Sequence, residues 1–485
     1  MKKIYSCLLL ALFMMWSTSC SDYLEFEETD LIAGDIALQT VANVETALMG
    51  GYANVDNFMG ILLNSVFADE VKTAGEFYNA STTHEWKYGP ADVGLRDSYT
   101  AIDPQYRVVD RANRVLSRVD IADSTRVGDN VLRKRLKAEA LFLRAFAHFE
   151  LFRFYGAKYD PATLAMPYMD FVNVKQEPQA RIPAAEYFAK MNQDISDAKA
   201  NLPNNLTDIN RANVATANGL QARIALYSEQ WADAEAYATN YINTPGLALA
   251  TIASFPGIWN DANTNEQSYR MVRTSAQTRL GTLFRASSGS ASAPGTITWT
   301  VSNKLYDSYA TADVRRGAYF ITDPTLVSLN RPNADRPGLI INKYNPYPTG
   351  GFGQTSENLV NGKMMRTAEM YLIRAEARAE QDNLAGAESD LNTLRTNRIT
   401  GYTPITLSTK QQAIDEILLE RSKELAFEGH RFWDLKRKGL PVARIAADAP
   451  SADGTTLPAN DFRFALPIPD PEMKANKLIQ QNPGY

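Results

Sequence analysis

The sequence predicts an all-α scaffold of helix pairs that carries loop-rich elaborations with a few short strands. Three observations predict it. A long apolar stretch near residues 132–155 has helical period, and two later segments repeat each other at an offset of 153 residues. Two stretches, about 69–103 and about 244–362, are rich in Gly, Pro, Asn and Ser and have no sustained period. With 45% hydrophobic and 22% charged residues in 485, the composition is that of an ordered globular protein with apolar residues enough for a large core.

The chain opens with Lys2 and Lys3 before an apolar run of 13 residues, Ile4 to Trp16. That run is too short to span a bilayer and suits a secretory signal. Ser17, Thr18, Ser19 and Cys20 resemble a bacterial lipoprotein cleavage box, so residues 1–19 are expected to be removed and Cys20 to carry lipid. Asp22, Glu25, Glu27, Glu28 and Asp30 make residues 20–34 an acidic, flexible leader, and residues 35–485 are read as a single domain. Cys7 and Cys20 are the only cysteines, which excludes a disulfide and a cysteine metal site in the mature chain. Two of the 50 basic residues leave with the signal, so 48 face 55 acidic ones, a net charge of −7. That balance argues against nucleic acid and against a purely electrostatic membrane surface.

The first long helix is LRKRLKAEALFLRAFAHFELFRFY, where Leu136, Phe142, Phe146, Phe149 and Phe152 recur at helical steps and Gly156 stops it. A second fits IPAAEYFAKMNQDISDAKANLP, with Tyr187, Met191, Ile195, Ala198 and Leu202 on one face and Pro203 at its end. ANGLQARIALYSEQWADAEAYA and EMYLIRAEARAEQDNLAGAESDL then align Ala222 with Ala375, Leu226 with Ala379, Trp231 with Leu384 and Ala234 with Ala387. Each reads as helix, short turn, helix, with small residues at close contacts, which is tetratricopeptide-like logic and makes Trp231 a core residue. TITWTV at 296–301 supplies one of the short strands.

Chemistry has few candidates. His84, His148 and His430 are far apart and lack ligand-like partners, so no metal site is expected, and no phosphate loop or nucleophile elbow is present. Glu420, Glu424 and Glu428 in ERSKELAFEGHRFWDLKRKG would line one helical stripe with Cβ atoms about 5–6 Å apart, a spacing compatible with a glycosidase pair. Arg421, Lys423 and Arg431 interleave them, and a carboxylate beside a guanidinium has its pKa lowered, the wrong direction for a general acid. An ion-pair lattice joining two helices through Gly429 is the favoured reading.

Trp86, Trp259 and Trp299 stand in loop-rich segments, where bulky rings need a reason. Trp86 clusters with Phe77, Tyr78, Tyr88 and Asn79, and Trp259 precedes Asn260, Asp261, Asn263 and Asn265. An aromatic face beside short amides and carboxylates suits a pyranose ring, whose C–H face stacks while its hydroxyls take planar polar partners. Tyr78, Asn79, Trp86, Tyr88, Trp259, Asn260 and Trp299 are therefore the candidate ligand residues. The alternative is that these rings plug the loops against the helices.

FADEVKT at 67–73, AEALFLRAFAHFELFRFYG at 138–156, AEMYLIRAEARAE at 368–380, EILLERSKELAFEGHRFWDLKRKG at 416–439 and the terminal ALPIPDPEMKANKLIQQNPGY together resemble the SusD/RagB family of outer-membrane nutrient-binding lipoproteins. The resemblance implies four tetratricopeptide-like pairs with a loop-built binding face. It further implies a non-enzymatic lipoprotein on the cell surface that captures glycan without a cofactor and delivers it to a SusC-type TonB-dependent transporter. A RagB-like peptide binder is the alternative ligand reading; a glycoside hydrolase and a pure protein-interaction scaffold are the remaining ones.

Overall fold

The computed structural model describes residues 37–73, 81–100, 102–274, 276–286, 296–322, 336, 338–345 and 359–485. Its principal helices are α1 (Val41–Asn54), α2 (Phe58–Phe67), α3 (Ile102–Arg118), α4 (Asp129–Tyr155), α5 (Ala184–Lys199), α6 (Val214–Tyr227), α7 (Trp231–Ile242), α8 (Thr367–Glu380), α9 (Leu384–Thr396), α10 (Lys410–Glu424) and α11 (Arg431–Lys438). Short strands are β1 (Val71–Thr73), β2 (Gln267–Met271), β3 (Trp299–Val301), β4 (Phe320–Thr322), β5 (Leu339–Ile341) and β6 (Gly362–Arg366).

Helix starts follow local chemistry. Thr40, Asn213, Asn383 and Thr409 each accept a hydrogen bond from a backbone N–H in the first turn of α1, α6, α9 and α10. Gly156 ends α4 where the sequence places the stop. The C-terminal half of α4 is buried on every side, from Phe142 to Tyr155, and its charged residues are paired there, Arg144 with Asp194 and Arg153 with Glu150.

Four pairs stack in order: α1 on α3, α4 on α5, α6 on α7, α8 on α9. Contacts of α3 with α4, α5 with α6 and α7 with α8 join each pair to the next, and α10 packs on α8. One apolar cluster runs from Leu38 to Ile479, while a second gathers Ala375, Ala379, Ala387 and Leu391 with Ile417 under α8–α10. The repeat read from sequence holds in detail, because Trp231 and Leu384 are the first residues of α7 and α9. Trp231 is nevertheless only half-buried, lying at the edge of the core beneath Lys438.

Strands do not build a layer; they tie loops to the helices in two-stranded pairs. β1 pairs antiparallel with β3, β2 with β6 and β4 with β5. Between α10 and α11 the chain turns at Gly429, whose φ is +83°, and a Cβ there would stand 3.3 Å from the backbone of Gly60 and Ile61 in α2. Only glycine permits that approach.

Candidate ligand-binding face

β1, β3, β5 and β4 lie side by side. Thr73 faces Trp299, Thr300 Oγ1 donates to the Leu339 carbonyl at 2.9 Å, and Leu339 pairs with Thr322. Beside them Arg285–Ala286 pairs with Thr296–Ile297, and the Thr298 and Trp299 amides donate to the Phe284 carbonyl. The chain leaves this patch at Thr73, Ala286 and Thr322 and returns to it near His84, Thr296 and Leu339, so segments 74–80, 287–295 and 323–335 all spring from one place. Loops set on a rigid base are where binding residues concentrate.

Buried ionic clips hold the base. Asp69, just before β1, takes Arg431 Nε at 2.7 Å and Lys304 Nζ at 2.9 Å. Glu70 accepts from Ser65 Oγ at 2.7 Å and from the Phe427 amide; burial pushes its carboxyl up to about 7. Arg444 spends its guanidinium on five carbonyls, those of Val66, Phe67, Ala68, His84 and Gly454. Trp86, Asp261 and Tyr344 have φ near +60°, a left-handed conformation that non-glycine residues adopt at a cost and that collects near functional loops.

The three loop tryptophans are inside the protein, each 2% exposed, and none offers a free ring face to a sugar. Trp86 Nε1 donates to the Phe67 carbonyl at 2.9 Å, and the Arg444 guanidinium lies 4.3 Å over its ring. Trp259 has Lys343 Nζ 3.9 Å and the Arg366 guanidinium 5.0 Å from its ring, with Tyr319 and Tyr344 edge-on. Trp299 sits in β3 against His84 at 5.1 Å. The expectation that these rings stack on ligand gives way to the plugging alternative: a large ring is the most effective anchor for a loop that must return to the scaffold, and a desolvated cation over it adds about 2 kcal/mol.

Tyr88 is half-buried, stacked on Phe67 at 5.2 Å, and its hydroxyl donates to the Arg463 carbonyl. Asn260 is half-buried, with its Oδ1 accepting from the Ala262 amide. Tyr78, Asn79 and Cys20 lie outside the described residues. The cationic partners Lys343, Arg366 and Arg444 were not singled out by sequence reading, since each is remote in the chain from the ring it covers.

The Glu420, Glu424 and Glu428 stripe is fully engaged. Glu420 takes Arg315 at 2.5 Å and Arg395 at 2.7 Å; Glu428 takes Arg366 at 2.7 Å and Lys343 at 2.9 Å. Burial alone would raise these carboxyls, but Arg315, Lys423 and Arg395 bring Glu420 down to about 2, and the guanidiniums of Arg398, Arg366 and Arg315 hold Glu424 well below the usual range. Such groups are fixed anions, unsuited to donate a proton. Through Arg366 and Lys343 the lattice reaches the Trp259 ring, so the stripe and the loop base form one buried unit.

A separate cleft of about 720 Å³ opens between α3, residues 166–179 and the helix Asp470–Ala475, lined by Tyr106, Met169, Phe171 and Gln176 among others. Its amides are largely committed to its own walls. Asn113 Nδ2 donates to the Met169 and Phe171 carbonyls, Asn173 pairs with Glu177, and Asn476 Nδ2 donates to the Gln179 carbonyl.

Comparison with known proteins bears on both the scaffold and its face. Residues 22–226 match a family described as "Starch-binding associating with outer membrane", and residues 296–485 match the SusD family. The chain is 27% identical to the SusD-like protein P2 of Formosa agariphila over 96% of this chain and 97% of that one. A SusD superfamily structure from Bacteroides thetaiotaomicron superposes with a TM-score of 0.78 at 23% identity, covering 92% of this chain and all of that one. A laminarin-binding SusD-like protein gives 0.71 at 22% identity, with 92% and 100% covered. The two family matches leave out residues 227–295, which hold α7 and β2, and together take in the rest of the helix stack, most of the ion-pair lattice and strands β1, β3, β4 and β5: this chain belongs to the SusD/RagB family.

Proposed function

We propose that the protein captures glycan at the cell surface and hands it to a SusC-type TonB-dependent transporter, held at the outer membrane by lipid on Cys20. The observation that carries this reading is the strand patch from which segments 74–80, 287–295 and 323–335 spring, in a family described as starch-binding. Tyr78 and Asn79, in the first of these segments, are the proposed contacts. A tyrosine face stacks on the apolar face of a pyranose, and an amide both donates to and accepts from vicinal hydroxyls. Tyr88 and Asn260, both partly exposed, are proposed as supporting residues. Trp86, Trp259 and Trp299, all buried, anchor the strand patch to the helix stack. No bond is made or broken. The reading is tested by calorimetric titration with oligosaccharides, laminarin-derived ones included: Tyr78→Ala with Asn79→Ala should abolish binding at unchanged melting temperature. Full affinity in that double variant, or a co-purifying peptide in place of glycan binding, overturns the assignment.

A further inference from the structure

Three of the four most exposed large aliphatic side chains among the described residues, Ile121, Val127 and Val131, lie in the turn between α3 and α4 and the first turn of α4. Single exposed aliphatics need no explanation, but three within eleven residues are a local concentration of apolar surface. The turn that bears them is firmly held. Arg133 donates to the Val119 carbonyl at 2.5 Å and the Ala122 carbonyl at 2.6 Å, and Asp129 accepts from the Thr125 and Arg126 amides at 2.8 and 2.9 Å. The apolar side chains are therefore presented outward on a pinned support.

The N-terminal end of the described chain docks on the same turn. The Asp123 amide donates to the Gln39 carbonyl at 2.6 Å, and the Val41 amide donates to the Asp123 carbonyl at 3.1 Å. Sixteen residues separate Cys20 from Ala37, a tether of at most about 55 Å. Around Ile121, Val127 and Val131 stand Arg118, Arg126, Arg133, Lys134 and Lys137, against Asp120, which pairs with Lys137, Asp129 and Glu45, which both pair with Arg126, and the exposed Asp123. The turn is thus locally cationic on a chain that is acidic overall.

We propose that the α3–α4 turn seats on the lipid surface beside the anchored N-terminus. Ile121, Val127 and Val131 enter the boundary between headgroups and acyl chains, and Arg118 and Lys134 meet lipid phosphates. This rests on the reading of Cys20 as the lipidated residue. A lipid at one point leaves a protein free to swing, whereas a second, shallow contact fixes its orientation.

The test tethers the chain without relying on natural acylation. Protein beginning at Ser21, with an N-terminal hexahistidine tag, is bound to phosphatidylethanolamine–phosphatidylglycerol vesicles doped with a nickel-chelating lipid. It has no cysteine of its own, so Val127→Cys, Val131→Cys and, as control, the equally exposed Val174→Cys each take a single environment-sensitive fluorophore. Blue-shifted emission, quenched by spin-labelled lipid, is expected at 127 and 131 with aqueous emission at 174. Aqueous emission at 127 and 131, or the same shift at all three, overturns the proposal. The mass of the N-terminal peptide from native membranes reports acylation of Cys20 separately.

Discussion

Arg398 holds Glu424 through two parallel contacts, Nε to Oε2 at 3.0 Å and Nη2 to Oε1 at 3.1 Å, with neither side chain exposed. The same guanidinium donates to Glu266 at 2.7 Å and to the Ala250 carbonyl at 3.0 Å. One arginine thereby ties the loop that leads into β2 to the end of α10, and the lattice decides how the loop face sits on the helix stack.

Glu424→Gln should therefore cost stability and nothing else. Removing one partner leaves buried guanidiniums of Arg315, Arg366 and Arg398 short of charge, and breaking such a pair costs about 3–5 kcal/mol. Urea unfolding measures the loss, and glycan affinity per folded molecule should match that of the unaltered protein. A catalytic role for the carboxylate would instead leave stability intact.

The buried tryptophans make the complementary prediction. Trp86→Ala and Trp259→Ala each empty a large enclosed site and should destabilise by about 3–5 kcal/mol. Any weakening of ligand binding should track the unfolded fraction. In Tyr78→Ala the order reverses, with affinity lost and the melting temperature kept.

Acid should weaken the fold through its histidines. Burial pushes His84 and His148 down to about 3, so both are neutral in the folded chain and protonated in the unfolded chain between about 3 and 6.5. Their contribution is fully present above about 6.5 and is lost as pH falls toward about 3. By linkage each costs about 2 kcal/mol at pH 5 relative to neutral pH. Unfolding free energies measured across pH 7 to 5 check the slope, which His148→Gln should reduce.

Glu70 tilts the other way. Its carboxyl, raised to about 7 by burial, keeps its proton in the folded chain after the unfolded one has lost it, so its contribution is present below about 4.5 and fades as pH rises through about 7. Glu70→Gln should flatten the stability profile between pH 5 and 8. An unchanged profile would mean that Glu70 is ionised in the folded protein.

The helix stack was legible because its signals are local. Leu136, Phe142, Phe146, Phe149 and Phe152 announce their helix by spacing alone, and all five are buried in α4. The equivalence of Trp231 with Leu384 needed only an alignment of the chain with itself. The interleaved charges around Glu424 pointed to ion pairs, although Arg398, Arg366 and Arg315 come from other segments. The loop base was not legible for that same reason. Which way Trp86, Trp259 and Trp299 face depends on Arg444, Lys343 and His84 and on the pairing of Val71–Thr73 with Trp299–Val301, contacts between residues far apart in sequence. An aromatic ring in a loop-rich segment signals that something is anchored there without telling whether it is ligand or protein.

Glycan capture is tested most directly by native gel electrophoresis of the mature protein through gels cast with plant, fungal and host polysaccharides, laminarin among them. Retardation by a glycan is expected, abolished in the double variant Tyr78→Ala, Asn79→Ala and preserved in folded Glu424→Gln. Unchanged mobility through every gel, with peptide bound to the protein purified from cells, would contradict it.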